Sequence, residues 1–522
     1  MKNPQKLAFI SLIIILCISL LLLTNIINIF GQRNFLHPDD YEYYFFGQNI
    51  LKEGSLEKKI EIQDIGVSKS VFCNQDFTLY KDNYCIPTRA IGYDFIIFIS
   101  LFISKYFYSF ILSFISIILV IYFFLFSKRI TKNLSYTLIS ITIFIFSFPF
   151  IYWSNINISN MCATLFFLVG LYYTFLYKNK LVLSSIFLSS SIFIRHEFIL
   201  FIFPIFLFIN VYYLIIKRKF YGRDLIIFNI IFFVILFGVL YFNNNYYGDP
   251  LIFGYVSHQA TLEINSNSLN YKLGLLDQFK LIISERMTQM IKIQDWYFNN
   301  LVFWVFGVIT FPLTIFGIIG IILYSNKNKK FFYFILLLIL LSQLFLQGIH
   351  WGYDQGWSGT PYIRYLLPGY IFLIIFSCLF IKNLKINKKY ILISLILISL
   401  ILSTTNLALA PTGLFESVDT MKKNYDLNNE LNHTISDRSI IITNIFDKTL
   451  LNTDIKTINP KRSNLSIEDL NNLSRLLLDK NYDLYIINAP WHKNSYINTT
   501  QMNLKVYVIK ENDYYQLIRI SD

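Results

Sequence analysis

Charge is the property that this sequence has least of. Of its 522 residues, only 15% are Asp, Glu, Lys or Arg, whereas soluble domains average about 25%. Hydrophobic residues make up 55% and aromatic residues 18%. Apolar runs of about 17–25 residues recur along the chain, and this is the length that crosses a bilayer as a helix. The composition excludes an ordinary soluble protein and predicts an α-helical polytopic membrane protein with about eleven transmembrane helices.

Motifs for common cofactors and nucleophiles are also missing. The sequence contains no zinc-ligand spacing, no Walker loop and no nucleophile elbow. A net charge of +13 would suit a nucleic-acid partner, but the Lys and Arg residues cluster in short loops between the apolar runs. That clustering is the positive-inside pattern of membrane proteins. We therefore expect no nucleic-acid partner and assign no metal ligand.

The basic loops orient the chain in the membrane. Lys2 and Lys6 precede the first run, which is too long for a signal peptide and lacks a cleavage site, so the N-terminus is predicted to be cytoplasmic. The predicted inner side holds about eighteen Lys and Arg residues, against about two in the short outer loops. The predicted spans are 7–30, 107–126, 134–152, 161–177, 181–194, 198–216, 225–242, 301–324, 331–349, 365–381 and 391–407.

The chain divides by composition into a transmembrane domain, 1–407, and a polar C-terminal segment, 408–522. This topology makes the loops 31–88 and 246–300 and the C-terminal segment extracytoplasmic. An apolar segment that begins after Pro87 and ends near Ser104 is short for a crossing and is predicted to lie at the interface.

The C-terminal segment is predicted to be a small α/β domain with a partly parallel sheet. A helix over 466–479 has Ser466 as its N-cap and acidic residues in its first turn. The domain has no Gly-rich phosphate loop, so we expect it to be structural or to bind the acceptor. The predicted strands are 439–443, 454–458, 483–488, 504–509 and 515–520.

Cysteine is scarce, with five residues in all. Cys17, Cys162 and Cys378 lie in apolar runs, where a thiol usually packs as a small hydrophobe. Cys73 and Cys85 share the loop 31–88. If that loop faces an oxidising compartment, the two could form a disulfide.

An acidic stretch, Asp39, Asp40 and Glu42, follows the first predicted span directly and is interleaved with aromatic residues, among them Tyr43. Ionisable groups at a bilayer boundary are functional candidates. A carboxylate there can remove a proton from an acceptor hydroxyl or amine, or bind a divalent cation. The alternative is a solvated loop that only ends a helix.

Two arginines lie at the outer ends of predicted spans: Arg195, close to Glu197, and Arg364, next to Tyr365. An arginine can hold a phosphate through two parallel hydrogen bonds. Arg195 with Glu197 could instead be a structural ion pair, and Arg364 could be an interfacial anchor. Carboxylate and arginine together at a lipid surface suit a substrate with a lipid tail, a phosphate and a polar head.

These residues resemble recurring stretches of the polytopic glycosyltransferases of the C superfamily, especially relatives of protein O-mannosyltransferases and lipid A aminoarabinose transferases. The acidic pair Asp39-Asp40, with Tyr43 three residues on and then Gly54, is similar to the family's Asp-Glu-x-x-Tyr. Three further stretches carry the resemblance: 87–93, 195–197, and 245–255 together with 364–368.

The resemblance implies an inverting transfer of a sugar from a polyprenyl-phosphate donor to a lipid, glycan or protein acceptor. Asp39 would be the catalytic carboxylate with Asp40 supporting it, and Arg364 and Arg195 would face the donor phosphate. The expected substrate-binding set is completed by Glu42, Tyr43, Glu197 and Tyr365. The segment 154–160 lacks the acidic residue that many relatives carry, so a divalent cation stays open as a cofactor.

Two other functions stay open at this point. A lipid-linked glycan flippase or transporter would need polar residues along its spans, and these spans are nearly free of charge in the middle. An inactive relative could act as a membrane scaffold. The glycosyltransferase hypothesis is distinguished by an outward cavity in which Asp39 and Arg364 approach each other.

Overall fold

The computed structural model is mostly helical and divides into two compact units. The helical unit comprises Met1–Phe30, Ser109–Phe242 and Tyr271–Ser417, and the mixed unit comprises Gly31–Tyr108, Asn243–Asn270 and Val418–Asp522. The residues that the structure describes are 38–59, 72–73, 78–81, 84–87, 90–155, 159–176, 180–213, 222–247, 250, 313–325, 360–384, 388–409, 414–436, 438–447, 449–452, 455–461, 463, 465–491 and 496–521. The predicted spans 7–30 and 331–349 lie outside them, as does most of the loop 246–300.

The described helices are α1 (Pro38–Glu53), α2 (Gly92–Ile103), α3 (Lys105–Thr131), α4 (Leu134–Ile145), α5 (Phe148–Asn155), α6 (Ser159–Leu171), α7 (Leu181–Ile194), α8 (Ile199–Val211), α9 (Arg223–Tyr247), α10 (Leu313–Ser325), α11 (Thr360–Asn383), α12 (Lys388–Leu409), α13 (Leu414–Thr434) and α14 (Ile467–Asp479). The strands are β1 (Lys58–Lys59), β2 (Thr78–Lys81), β3 (Tyr84–Pro87), β4 (Ser439–Ile442), β5 (Lys456–Ile458), β6 (Asp483–Asn488), β7 (Lys505–Glu511) and β8 (Gln516–Ser521).

Among the described residues, two helices, Phe110–Thr131 and Arg223–Tyr246, are long and apolar enough to cross a membrane by length and composition. Shorter apolar helices accompany them, including Leu134–Ile145 and Leu181–Ile194. The predicted span 134–152 is not one helix but two, α4 and α5, which meet at Phe146 and Ser147. Pro149 explains the break, because proline has no N–H to donate and is tolerated only in the first turn of a helix.

Neutral polar side chains join neighbouring helices of the helical unit. Ser127 and Ser140 are 2.6 Å apart between their hydroxyl oxygens, and they link α3 to α4. Asn210 and Asn229 exchange two amide hydrogen bonds of 3.0 and 2.8 Å between α8 and α9. In an apolar environment such bonds satisfy groups that water cannot reach and fix the register of the helices.

Helices α10 and α11 approach each other through glycine. A Cβ added at Gly317 would lie 2.9 Å from the Cα of Leu373, and one added at Gly320 would collide with the carbonyl oxygen of Phe376. Ser377 Oγ donates a 2.8 Å hydrogen bond to the Leu313 carbonyl across the same contact. Small residues let two helix backbones pack this closely.

The C-terminal segment folds as the α/β domain expected from its sequence. The strand order is β5-β4-β6-β8-β7, with β4 parallel to β5 and β6, and β8 antiparallel to β6 and β7. Ser466 caps α14 in a capping box with Asp469, and the hydrogen bonds from Ser466 lower the pKa of that carboxyl group. Leucines of α14 pack on one face of the sheet, and leucines of α13 pack on the other.

Part of the loop 31–88, which is the first polar segment of the chain, belongs to the same unit as this sheet. Cys73 and Cys85 form a disulfide, and both lie in the hydrophobic core that α14 makes with the sheet. Helix α1 packs against α2 and against the short 3-10 turn Thr449–Asn452. The mixed unit thus joins portions of the loop 31–88 to the C-terminal domain.

We expect Gly320→Ala to destabilise the helical unit, because the new Cβ would push α11 away from α10. Overpacking of this kind costs about 1–3 kcal/mol, and it should lower the melting temperature of the protein in detergent. Gly238→Ala on α9 is the matched control, since a Cβ there meets nothing within 4 Å. An unchanged melting temperature for Gly320→Ala would show that the two helices do not pack through glycine.

Candidate functional site

The acidic stretch occupies the start of helix α1. Pro38 is the first residue of the helix, a position that proline favours, and Asp39 and Asp40 follow in the first turn. Carboxylates interact favourably with the positive end of the helix dipole there. The side chains of Asp39, Asp40, Glu197, Arg364 and Tyr365 lie outside the described part of the structure, so each is located by the backbone that carries it.

Glu42 and Tyr43 on α1 are buried, with 1% and 3% of their surfaces exposed. The Tyr43 ring meets the edge of the Tyr93 ring on α2, with centroids 4.9 Å apart. One turn further on, α1 comes so close to α2 that a Cβ at Gly47 would lie 2.7 Å from the Ile97 side chain. These contacts fix the orientation of α1 and therefore the position of its first turn.

A second buried carboxyl group lies on α2. Asp94 is 2% exposed and directly follows Tyr93. The sequence analysis did not place Asp94 in a site, although one acidic residue at the start of an apolar helix was a signal. Burying an ionised carboxylate is costly unless it is paired or hydrogen-bonded, so the buried carboxyl groups of Glu42 and Asp94 are further candidates for the site.

Arg195 is buried in the helical unit, with 8% of its surface exposed. It follows α7 directly, and its N–H donates a 2.9 Å hydrogen bond to the Ser191 carbonyl. Its guanidinium Nη1 donates to Ser159 Oγ at 3.3 Å and to Asn160 Oδ1. The arginine thus ties the end of α7 to the start of α6 in one fixed geometry.

Ser159 and Asn160 are the functional candidates that the sequence analysis missed. The segment that contains them has no acidic residue, and the groups that contact Arg195 are a hydroxyl and an amide. Neutral residues of this kind are common at helix starts and carry no pattern of their own. Only the three-dimensional contact reveals them.

Arg364 and Tyr365 lie near the start of α11, a helix that packs against α4, α5 and α6. At the other end of α11, Lys382 Nζ donates a 2.7 Å hydrogen bond to the Thr131 carbonyl at the end of α3. The two arginines therefore belong to the helical unit, and the acidic stretch belongs to the mixed unit.

Within the described part of the chain, no group of three or more His, Cys, Asp or Glu side chains lies close enough together to hold a metal ion.

Comparison with solved structures identifies the fold. The crystal structure of ArnT from Cupriavidus metallidurans bound to undecaprenyl phosphate superposes with a TM-score of 0.54, at 10% sequence identity, over 98% of each chain. The apo structure of the same protein gives a TM-score of 0.54 at 9% identity, over 99% of this chain and 98% of that one. No protein-family model and no curated protein matches the sequence.

This chain therefore has the ArnT fold along almost its whole length. The match supports, at the level of the fold, the resemblance to polytopic glycosyltransferases that the motifs suggested. Because sequence identity is so low, the match alone does not carry residue roles from one protein to the other.

We expect Asn160→Ala to lower the melting temperature in detergent, because it removes the hydrogen bond that Asn160 Oδ1 accepts from the buried Arg195. Hydrogen bonds to charged groups contribute about 1.5–3 kcal/mol. Asn383→Ala is a suitable control, since that amide donates to the Leu379 carbonyl of its own helix. Equal melting temperatures for the two variants would mean that the contact between Arg195 and Asn160 contributes nothing.

Proposed function

We propose that this protein is a membrane glycosyltransferase that moves a sugar from a polyprenyl-phosphate donor to a lipid, glycan or protein acceptor. The observation that carries the proposal is the ArnT fold over 98% of both chains, since one of those structures holds undecaprenyl phosphate. The acidic first turn of α1 and the buried Arg195 supply the two kinds of group that such a transfer uses. The N-terminus would be cytoplasmic and the mixed unit extracytoplasmic.

The acidic stretch would activate the acceptor. The Asp39 carboxylate takes the proton from an acceptor O–H or N–H as that atom forms a bond to the anomeric carbon of the sugar. The bond between this carbon and the phosphate oxygen breaks, and the polyprenyl phosphate leaves with the electron pair. Attack opposite to the leaving group inverts the anomeric centre. Asp40, in the same helical turn, supports Asp39.

The arginines would stabilise the leaving group. As the sugar departs, negative charge grows on the phosphate oxygens, and a guanidinium can stabilise that charge by donating two hydrogen bonds to them. Arg195 is already fixed by Ser159 and Asn160, so no reorganisation is needed when the charge develops. Arg364, at the start of α11, would be the second phosphate contact.

The polar groups of the helical unit favour an enzyme over a transporter. Charged residues of the described helices α3, α9, α11 and α12 lie near the helix ends, at positions such as Lys128, Arg223 and Lys382. The polar groups between the helices include a buried hydroxyl pair and a half-buried amide pair, each bonded across two helices. Ion-coupled carriers place ionisable residues in mid-span instead.

Transfer from a radiolabelled polyprenyl-phosphate sugar pool, measured in membranes, tests the proposal. Asp39→Asn should reduce labelled product by about 10²–10⁴-fold, because the amide cannot accept the proton. Arg364→Ala should also reduce transfer, through lost stabilisation of the leaving phosphate. Asp419→Asn on α13 is the matched control, since this carboxylate is exposed and pairs only locally with Lys423 among the contacts described.

The alternatives separate by outcome at equal expression. Full transfer by Asp39→Asn would remove the catalytic role of the acidic stretch. Movement of the labelled lipid across the membrane without transfer of its sugar would favour a flippase. The absence of both activities in wild-type membranes supplied with several sugars would favour a scaffold.

A further inference from the structure

The first polar segment contacts the C-terminal domain at two separate places, although the two are far apart in sequence. The first contact is the Cys73–Cys85 disulfide. Both cysteines are buried, at 4% and 6% exposure, in the core that includes Ile440 of β4 and Leu473 of α14. The neighbouring Phe72 is partly buried and packs against the same core. The disulfide thus fastens the segment to one face of the sheet.

The second contact joins helix α1 to the 3-10 turn Thr449–Asn452. This turn follows β4, at the carboxyl end of the parallel strands. Strand β4 has β5 on one side and β6 on the other, so the chain leaves β4 in one direction and returns on the opposite side. In open α/β sheets the crevice at such a reversal usually receives a ligand. Here that edge meets helix α1 of the same chain.

The turn is held rigidly from inside the domain. Thr449 Oγ1 donates a 2.8 Å hydrogen bond to the Phe446 carbonyl, and the Thr449 carbonyl accepts a 3.0 Å hydrogen bond from Asn428 Nδ2 on α13. The side chain of Leu450 is fully buried in the core beneath α13. Because Thr449 and Leu450 are both restrained, the turn is a rigid contact for helix α1.

Helix α1 is restrained on another side by α2, through the Tyr43–Tyr93 ring contact and the close approach at Gly47. Its C-terminal end is closed by Asn49, whose Nδ2 donates to the carbonyls of Ser55 and Glu57 at 3.0 and 2.8 Å. With α2 and the 3-10 turn both in contact with it, α1 has little freedom to shift or rotate.

We propose that the C-terminal sheet is a positioning device for helix α1. The disulfide fastens the first polar segment to the sheet face, and the turn Thr449–Asn452 sets the position of α1 at the carboxyl end of the parallel strands. Together they hold the first turn of α1, with Asp39 and Asp40, where it can react. The effect on transfer rests on the proposed function, but the restraint on α1 does not.

Hydrogen exchange of the full-length protein in lipid nanodiscs tests the restraint directly. Asn428→Ala removes the hydrogen bond from α13 to the turn and changes no residue of α1. We expect exchange of the 38–53 amides to speed up by about fivefold, the effect of one lost hydrogen bond, while exchange in β4 and β6 stays slow. Asn429→Ala, one residue on and exposed, is the matched control and should leave α1 unchanged.

The double variant Cys73→Ser and Cys85→Ser tests the other contact. It should speed up hydrogen exchange in α1. In the transfer assay it should lower kcat and leave the KM for the donor nearly unchanged, because the position of the base is affected and donor binding is not. Unchanged α1 exchange in both Asn428→Ala and the cysteine variant, with the domain still folded, would overturn the proposal. If the variants show faster α1 exchange and the wild-type protein transfers no sugar, the restraint on α1 stands and only the proposed function is overturned.

Discussion

The burial of the Cys73–Cys85 disulfide in the core of the C-terminal sheet is the contact on which the mixed unit depends. A disulfide that closes a loop of this length lowers the conformational entropy of the unfolded chain and thereby stabilises the folded state by about 3 kcal/mol. Its location matters more than this figure. By packing against Ile440 and Leu473, it makes a polar segment near the N-terminus part of the hydrophobic core of a domain formed by the last hundred or so residues.

The helical unit obeys a different constraint. Its helices are apolar on most sides, so hydrophobicity alone cannot select which helix faces which. The selection comes from small residues that allow close approach, such as Gly317 and Gly320, and from neutral hydrogen bonds such as the Asn210–Asn229 pair. Arg195 stands apart from these contacts because it brings a charged group into the buried part of the unit.

Much of the C-terminal domain was predictable from sequence. Strand β6 has the predicted bounds 483–488, and α14 begins after the predicted cap Ser466. Local patterns suffice there, since alternation and capping are properties of adjacent residues. The break between α4 and α5 was missed because a window of hydropathy does not register a proline inside an otherwise apolar run.

Some residues of the candidate site could likewise be predicted from sequence, and others could not. Asp39, Asp40 and Arg195 could be named from sequence because a charge among apolar residues is a local signal. Asn160 could not, since an amide at a helix start is ordinary until the partner of its oxygen is known. The contact of α1 with the turn Thr449–Asn452 also leaves no local trace, because it joins segments from opposite ends of the chain.

The fold alone gives no reason for the buried guanidinium of Arg195 at the end of α7. ArnT shares the fold at about 10% identity, so the architecture tolerates replacement of most side chains. A neutral side chain could join Ser159 and Asn160 to the end of α7 without the desolvation that the Arg195 guanidinium requires. A buried charge that stability does not require agrees with the proposed contact between Arg195 and the donor phosphate.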